Sequence, residues 1–260
     1  MISSDAKRLQ FENLPLISVA IRLTLAIELP LSLAFITDLF KEIPPEFSEI
    51  QDLPYLEQPP GRLPVQLRAS RGPIGARFVN PETGMALDIQ TDMIAVRWLG
   101  WNATEQAQRG YPSFDVSLPL IKVLIICIEK LLGSNFVKVD VANMIYTNLI
   151  DKQPPLTHRL LASYLSTFAV DESLMDYEIN AMDLSLKLGK GIDYRAHVDA
   201  FTDSNNTPSG FMVTHSAGTA LGFTENAEDI FSGICRVHDA LVNMFELALT
   251  ELARTEWSMK

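Results

Sequence analysis

Cysteine is scarce: only Cys127 and Cys235 occur in 260 residues. Both fall in segments that read as buried helix faces. Two such thiols exclude a disulfide framework and supply none of the paired spacings of a zinc site. Long hydrophobic runs are missing too. The most apolar stretch, residues 116–132, is interrupted by Lys122, Glu129 and Lys130 and falls short of the roughly 20 apolar residues that cross a bilayer. The opening "MISSDAKRLQFENLP" has neither an apolar core nor a small-residue cleavage site, so no secretory signal is expected. Positive charge is in deficit, with 21 Lys and Arg against 32 Asp and Glu and a net charge of -11. That field repels phosphate backbones, which confines any nucleic-acid contact to a local patch. No phosphate-cradling glycine loop and no zincin helix is present, so no cofactor is expected. A chain without membrane contact in a reducing cytoplasm fits these absences.

What is present is a regular alternation of strands and amphipathic helices. Ile17, Val19, Ile21, Leu23, Leu25 and Ile27 occupy alternate positions, which predicts a half-buried strand. Pro30 ends it. Ser32 is placed to cap a short helix carrying Leu33, Phe35, Ile36, Leu39 and Phe40, which stops before Pro44-Pro45. Six prolines over residues 43–64 predict a long surface connection. Strands follow over 74–79, 85–90 and 93–98, spaced as an antiparallel meander, and then a helix from Ser113 to about Leu132. The segment 136–149 reads as a strand that closes this half.

After "DKQPP" the order recurs. A short helix over 156–168 precedes "DLSLKL", "IDYRAHVDA" and "FMVTHSAGTALGF", and a single helix is predicted from about Asn226 to near the C-terminus. The expected class is α+β, with antiparallel β-meanders each covered by a long helix. Residues 1–150 and 151–260 are read either as two pseudo-repeated halves or as one compact domain in which the same way of covering a sheet is used twice.

Five stretches in order, "FENLPLISV" (11–19), "LDIQTDMIAVRW" (87–98), "YPSF" (111–114), "YTN" (146–148) and "VHDALVNMF" with Trp257, carry a resemblance. Together the chain resembles a sporadically distributed prokaryotic family of unknown function. Its members open on an aromatic-x-Asn-Pro-Pro-Leu-x-Glu motif and carry a Tyr-Pro helix start and a closing His-Glu helix. The departures are Leu14 for proline, Ser18 for glutamate, Arg97 for asparagine and Asp239 for the glutamate after the histidine. If the family's Glu and His-Glu form an acid-base pair, Ser18 removes half of it. The resemblance therefore implies an architecture and a prokaryotic cytoplasmic setting, and names no reaction.

Candidate chemistry gathers on the histidines. Phe231, Ile234, Cys235, Leu241, Val242 and Phe245 recur at helical steps and place His238 inside their apolar stripe. Its partner must come from another element, and Tyr146, Asn148 or the strand containing Arg97 are the polar interruptions that offer one. A buried imidazole so held fastens the helix to the sheet. His197 and Asp199, with His215 on the next strand, form a weaker metal alternative. Its competitor is a polar sheet face of cross-strand pairs. "THSAG" has Thr214 where a nucleophile elbow needs glycine. Arg62, Arg68, Arg71 and Arg77 meet no acid between Glu57 and Glu82, so this stretch is a candidate for partner contacts or for neutralising the protein's own acids.

The reading is a non-enzymatic protein-interaction subunit or adaptor of a prokaryotic cytoplasmic system, with antiviral defence as one setting and homo- or hetero-oligomers as its form. The alternatives are an enzyme using His238 or His197 as acid-base group, and a small-ligand or peptide-binding module.

Overall fold

The computed structural model describes residues 15–53, 75–102, 107–108, 110–133, 136–202 and 208–257. Its class is α+β, as expected. The alternating row predicted from Ile17 forms β1 (Leu16–Leu25), with Val19, Ile21, Leu23 and Leu25 buried. Ser32 caps α1 (Leu33–Glu42), its hydroxyl accepting from the Phe35 N–H at 3.1 Å. Part of the predicted surface connection is instead a strand, β2 (Glu49–Asp52), paired with β3 (Gly75–Val79) from Glu49↔Val79 to Asp52↔Ala76. Every β2 side chain is exposed, so no hydrophobic alternation announces it. Backbone pairing alone makes it a strand.

β4 (Met85–Gln90) and β5 (Met93–Leu99) follow across short turns, and β6 (Trp101–Asn102) pairs with β7 (Ala107–Gln108) in a separate ribbon. Then come α2 (Phe114–Leu132), β8 (Val139–Asp151), α3 (His158–Tyr164), β9 (Ala181–Leu188), β10 (Ile192–Thr202), β11 (Pro208–Thr224), α4 (Ala227–Ala248) and α5 (Glu251–Glu256). The single closing helix of the sequence reading is thus two. Leu249 bridges to Leu165, and the Thr250 hydroxyl accepts from the Ala253 N–H at 3.3 Å to start α5. A capping threonine inside an apolar run is a break signal that helical periodicity hides.

Nine strands form one antiparallel sheet in the order β2-β3-β4-β5-β1-β8-β11-β10-β9. β1 and β8 lie at its centre. Outward from β1 stand β5, β4 and β3, and outward from β8 stand β11, β10 and β9.

Register assigns the faces. Phe245 of α4 meets His215 edge-on at 5.2 Å between ring centroids, so the odd positions of β11 face the helices. Across the sheet these align with Tyr194, Ala196 and Val198, with Met144 and Tyr146, with Val19 and Ile21, and with Val96 and Trp98. Phe40 of α1 stacks on Phe78 of the same face at 5.9 Å. The apolar core therefore lies between the sheet and one helical layer.

The opposite face is polar and changes character along the sheet. On β9 and β10 its side chains Asp183, Ser185, Lys187, Asp193 and Arg195 are exposed. Around β1, β4 and β8 it is buried, including Arg22, Thr24, Asp88, Gln90 and Asn143. A β-carbon on Gly218 would stand 2.1 Å from the Asn143 Oδ1, so a larger residue there would displace that side chain.

Candidate functional site

The imidazole sealed beneath the sheet is His215, and His238 is not. Phe211, Val213, His215, Ala217 and Thr219 occupy the core-facing phase of β11, and all five are buried. The Tyr194 hydroxyl lies 2.6 Å from His215 Nδ1, and Nε2 has no hydrogen-bond partner among the described residues. Burial pulls the imidazole down to about 4 and pushes the Tyr194 phenol up. Both groups are therefore neutral at pH 7. With Tyr194 donating to Nδ1, the proton sits on Nε2.

His238 stands at the border of the buried stripe of α4, which consists of Ile230, Gly233, Ile234, Val237, Leu241, Phe245 and Ala248. Its ring stacks on Phe114 with centroids 3.9 Å apart and planes at 13°, and Nδ1 lies 3.3 Å from the Asp239 carboxylate. This stacking fastens α4 to the start of α2. The helical stripe is narrower than periodicity alone implied, which leaves His238 half-buried. The partners expected for it are elsewhere. Asn148 is buried on the core face of β8, and neither its amide oxygen nor its nitrogen is hydrogen-bonded to any described residue. Tyr146 faces the same core, and burial raises its phenol well above the ordinary range. Arg97 lies on the far face of the sheet, bonded to Asp88.

His197 occupies a third setting. Asp183 and Asp199 hold its two ring nitrogens at 2.7 and 2.8 Å on the exposed polar face. Partial burial alone would lower its pKa, but the bonds to Asp183 and Asp199 and their charges outweigh it and hold the imidazole above its usual value. Ala196 and not His197 aligns with His215 in the β10–β11 register. The two histidines of the metal alternative therefore point to opposite faces, and His197, Asp199 and His215 form no common site. Among the described residues no cluster of three or more histidine, cysteine, aspartate or glutamate side chains is placed to hold a metal ion.

Arg77 makes a bidentate pair with Asp88, at 2.7 and 2.8 Å, while Arg97 reaches the same carboxylate at 3.2 Å. Asp88 is buried to 1% exposure. Arg77 thus neutralises an acid of its own sheet. Arg62, Arg68 and Arg71 lie outside the described residues, as do residues 203–207 of the loop before β11. Asp88 was missed in the sequence because it alternates with apolar residues on a strand of six buried side chains. The signal was its position two places before Gln90, on the polar phase of β4.

The surface feature that sequence reading passed over is the outer side of α2. The helix buries Ser117, Ile121, Leu124, Cys127 and Ile128. On the opposite side Val116 is 44% and Ile126 53% exposed, with exposed Pro119 and half-exposed Val123 between them. The steps from 116 to 119, 123 and 126 are three, four and three residues, the repeat of a helix-to-helix seam. Exposed Asp115 and Lys122 flank it, and the next position of the row is Lys130, which is ion-paired with Glu42 of α1. Beside it a shallow groove of about 480 Å³ is lined by Lys122, Phe231, Ser232, Cys235, Arg236 and Asp239 among others. No helix is long and apolar enough to cross a membrane among the described residues, so this stripe is not part of a helical span.

No family model matches the chain, and the comparison with curated proteins finds no match.

Proposed function

We propose that the chain is a non-enzymatic protein-interaction subunit of a cytoplasmic system, and that the outer stripe of α2 receives an apolar helix of another protein. One observation carries the reading: Val116, Pro119 and Ile126 are exposed, with half-buried Val123 between them, at seam spacing on an otherwise well-packed helix. Burying a valine or isoleucine side chain contributes roughly 1.5–3 kcal/mol, so leaving such a row uncovered favours a partner. The flanking Asp115 and Lys122 supply the charged border that sets orientation in helix pairs.

The placement of the imidazoles supports the same reading. His215 is sealed from substrate, and His238 is stacked on phenylalanine. An acid-base role at His197 is the alternative, favoured by its half-exposed ring between two carboxylates. The order β1-β5-β4-β3 on one side and β8-β11-β10-β9 on the other supports a duplication of one strand-helix-three-strand-helix unit.

The test is affinity capture of the full chain and of Ile126→Asp from the source cell, with equal thermal stability verified first. Loss of a specific captured protein by at least tenfold in the variant supports the proposal. An unchanged captured set sinks it. Loss caused by His197→Gln and not by Ile126→Asp would move the partner surface to the polar face of the sheet and overturn the assignment to α2.

A further inference from the structure

The sheet ends differently at its two edges. β2 is a four-residue edge with Glu49 and Asp52 and no basic residue, the charged and short form that discourages pairing. β9 is twice as long, contains no proline and, among the described residues, pairs only with β10. An edge of this kind offers its outer backbone N–H and C=O groups for pairing. The core-facing row of β9 is also incompletely covered. α4 lies chiefly over β8 and β11, so Met182, Leu184 and Leu188 are only half-buried and Leu186 is 37% exposed.

We infer that β9 is the interface through which two copies of this chain join into one continuous antiparallel sheet. A two-fold axis perpendicular to the sheet keeps both helical layers on one side, so even positions meet even positions and odd meet odd. Three central registers obey that parity, about Leu184, Ser185 or Leu186. The register about Leu184 sets Asp183 against Ser185, and the one about Leu186 sets Lys187 against Ser185. Only the Ser185-centred register sets Asp183 against Lys187 of the second copy, and it does so twice by symmetry. In the same register Leu184 meets Leu186 and Met182 meets Leu188, which covers the half-buried apolar row on both copies. The two charged groups differ in their present partners. Asp183 already holds His197 Nδ1 at 2.7 Å through Oδ1, although its side chain is 79% exposed, and Lys187 is exposed and makes no ion pair among the described residues. The occupant of this edge is thus a second copy, selected by charge and apolar complementarity that β9 has with itself. The surface is separate from the α2 stripe and stands or falls independently of it.

The experiment uses the full chain. Sedimentation velocity is expected to give twice the 29.0 kDa chain mass. Lys187→Asp is expected to raise the dissociation constant at least tenfold by opposing like charges, and Asp183→Lys combined with Lys187→Asp to return it to within threefold. Ser185→Cys places two thiols beside the axis, at a strand-pair Cα separation of about 4.5–5.5 Å that a disulfide accepts. Mild oxidation should therefore link the copies, while the parent chain, with Cys127 buried and Cys235 half-buried, stays unlinked. A monomer at 100 μM protein, a dimer indifferent to Lys187→Asp, or a Ser185→Cys dimer that does not cross-link each overturns the proposal.

Discussion

Tyr194 and His215 are diagonal neighbours on β10 and β11, joined hydroxyl to Nδ1 at 2.6 Å and both removed from solvent. The pair makes His215 a neutral component of the core. Its consequence is a defined pH dependence of stability. The unfolded imidazole takes its proton near 6.5, whereas the folded one resists it down to about 4. Between those values the unfolded state binds more protons, so stability is fully present above 6.5 and declines as the pH falls. At about 1.4 kcal/mol per unit the loss is on the order of 3 kcal/mol. Urea denaturation at pH 7 and at pH 4.5 should show this, with a smaller difference in His215→Gln. An equal difference in both proteins contradicts it.

His197 has the opposite sign. Its folded pKa is raised by Asp183 and Asp199 against the pull of partial burial, so its contribution is present below 6.5 and disappears as the pH rises through the folded value. The ring is 41% exposed, and solvent screening keeps the effect on stability small. The sharper readout is the imidazole proton shift in an NMR titration. Its midpoint should lie above 6.5 and fall in Asp183→Asn. A midpoint below 6.5 contradicts the arrangement.

Asp88 binds Arg77 and Arg97 together on the buried part of the polar face. Removing it leaves two cations without their shared anion, a loss of about 3–5 kcal/mol for a buried charge cluster. Asp88→Ala should therefore lower the urea midpoint strongly. Arg97→Gln, which retains the bidentate Arg77 pair, should lower it less. Equal midpoints for Asp88→Ala and the parent chain would show that the cluster does not contribute.

Much of the fold was legible because one face of the sheet is dry. Alternation from Ile17 to Leu25 and the Ser32 cap marked β1 and α1 directly. β2 was not legible, since Glu-Ile-Gln-Asp at an exposed edge has no burial period to read. His197 was legible as part of a polar cross-strand pair, whereas His215 and His238 were assigned to the wrong settings for a related reason. Strand phase decides which face a residue takes, and the polar Thr214 and Ser216 around His215 gave no contrast from which to fix it. For His238 the helical period was right, but the width of the buried stripe depends on where α2 lies, and that is tertiary information. The α2 stripe was visible as a helix apolar nearly all round. Only the structure shows which side the core leaves open.

The most direct measurement of the central claim is site-specific photo-crosslinking in the source cell, with the reactive side chain placed at Ile126 and, as a control, at exposed Thr37 of α1. The account predicts a discrete adduct with another protein from position 126 and none of that mass from position 37. No adduct from position 126, or the same adducts from both positions, would contradict a partner seated on the outer side of α2.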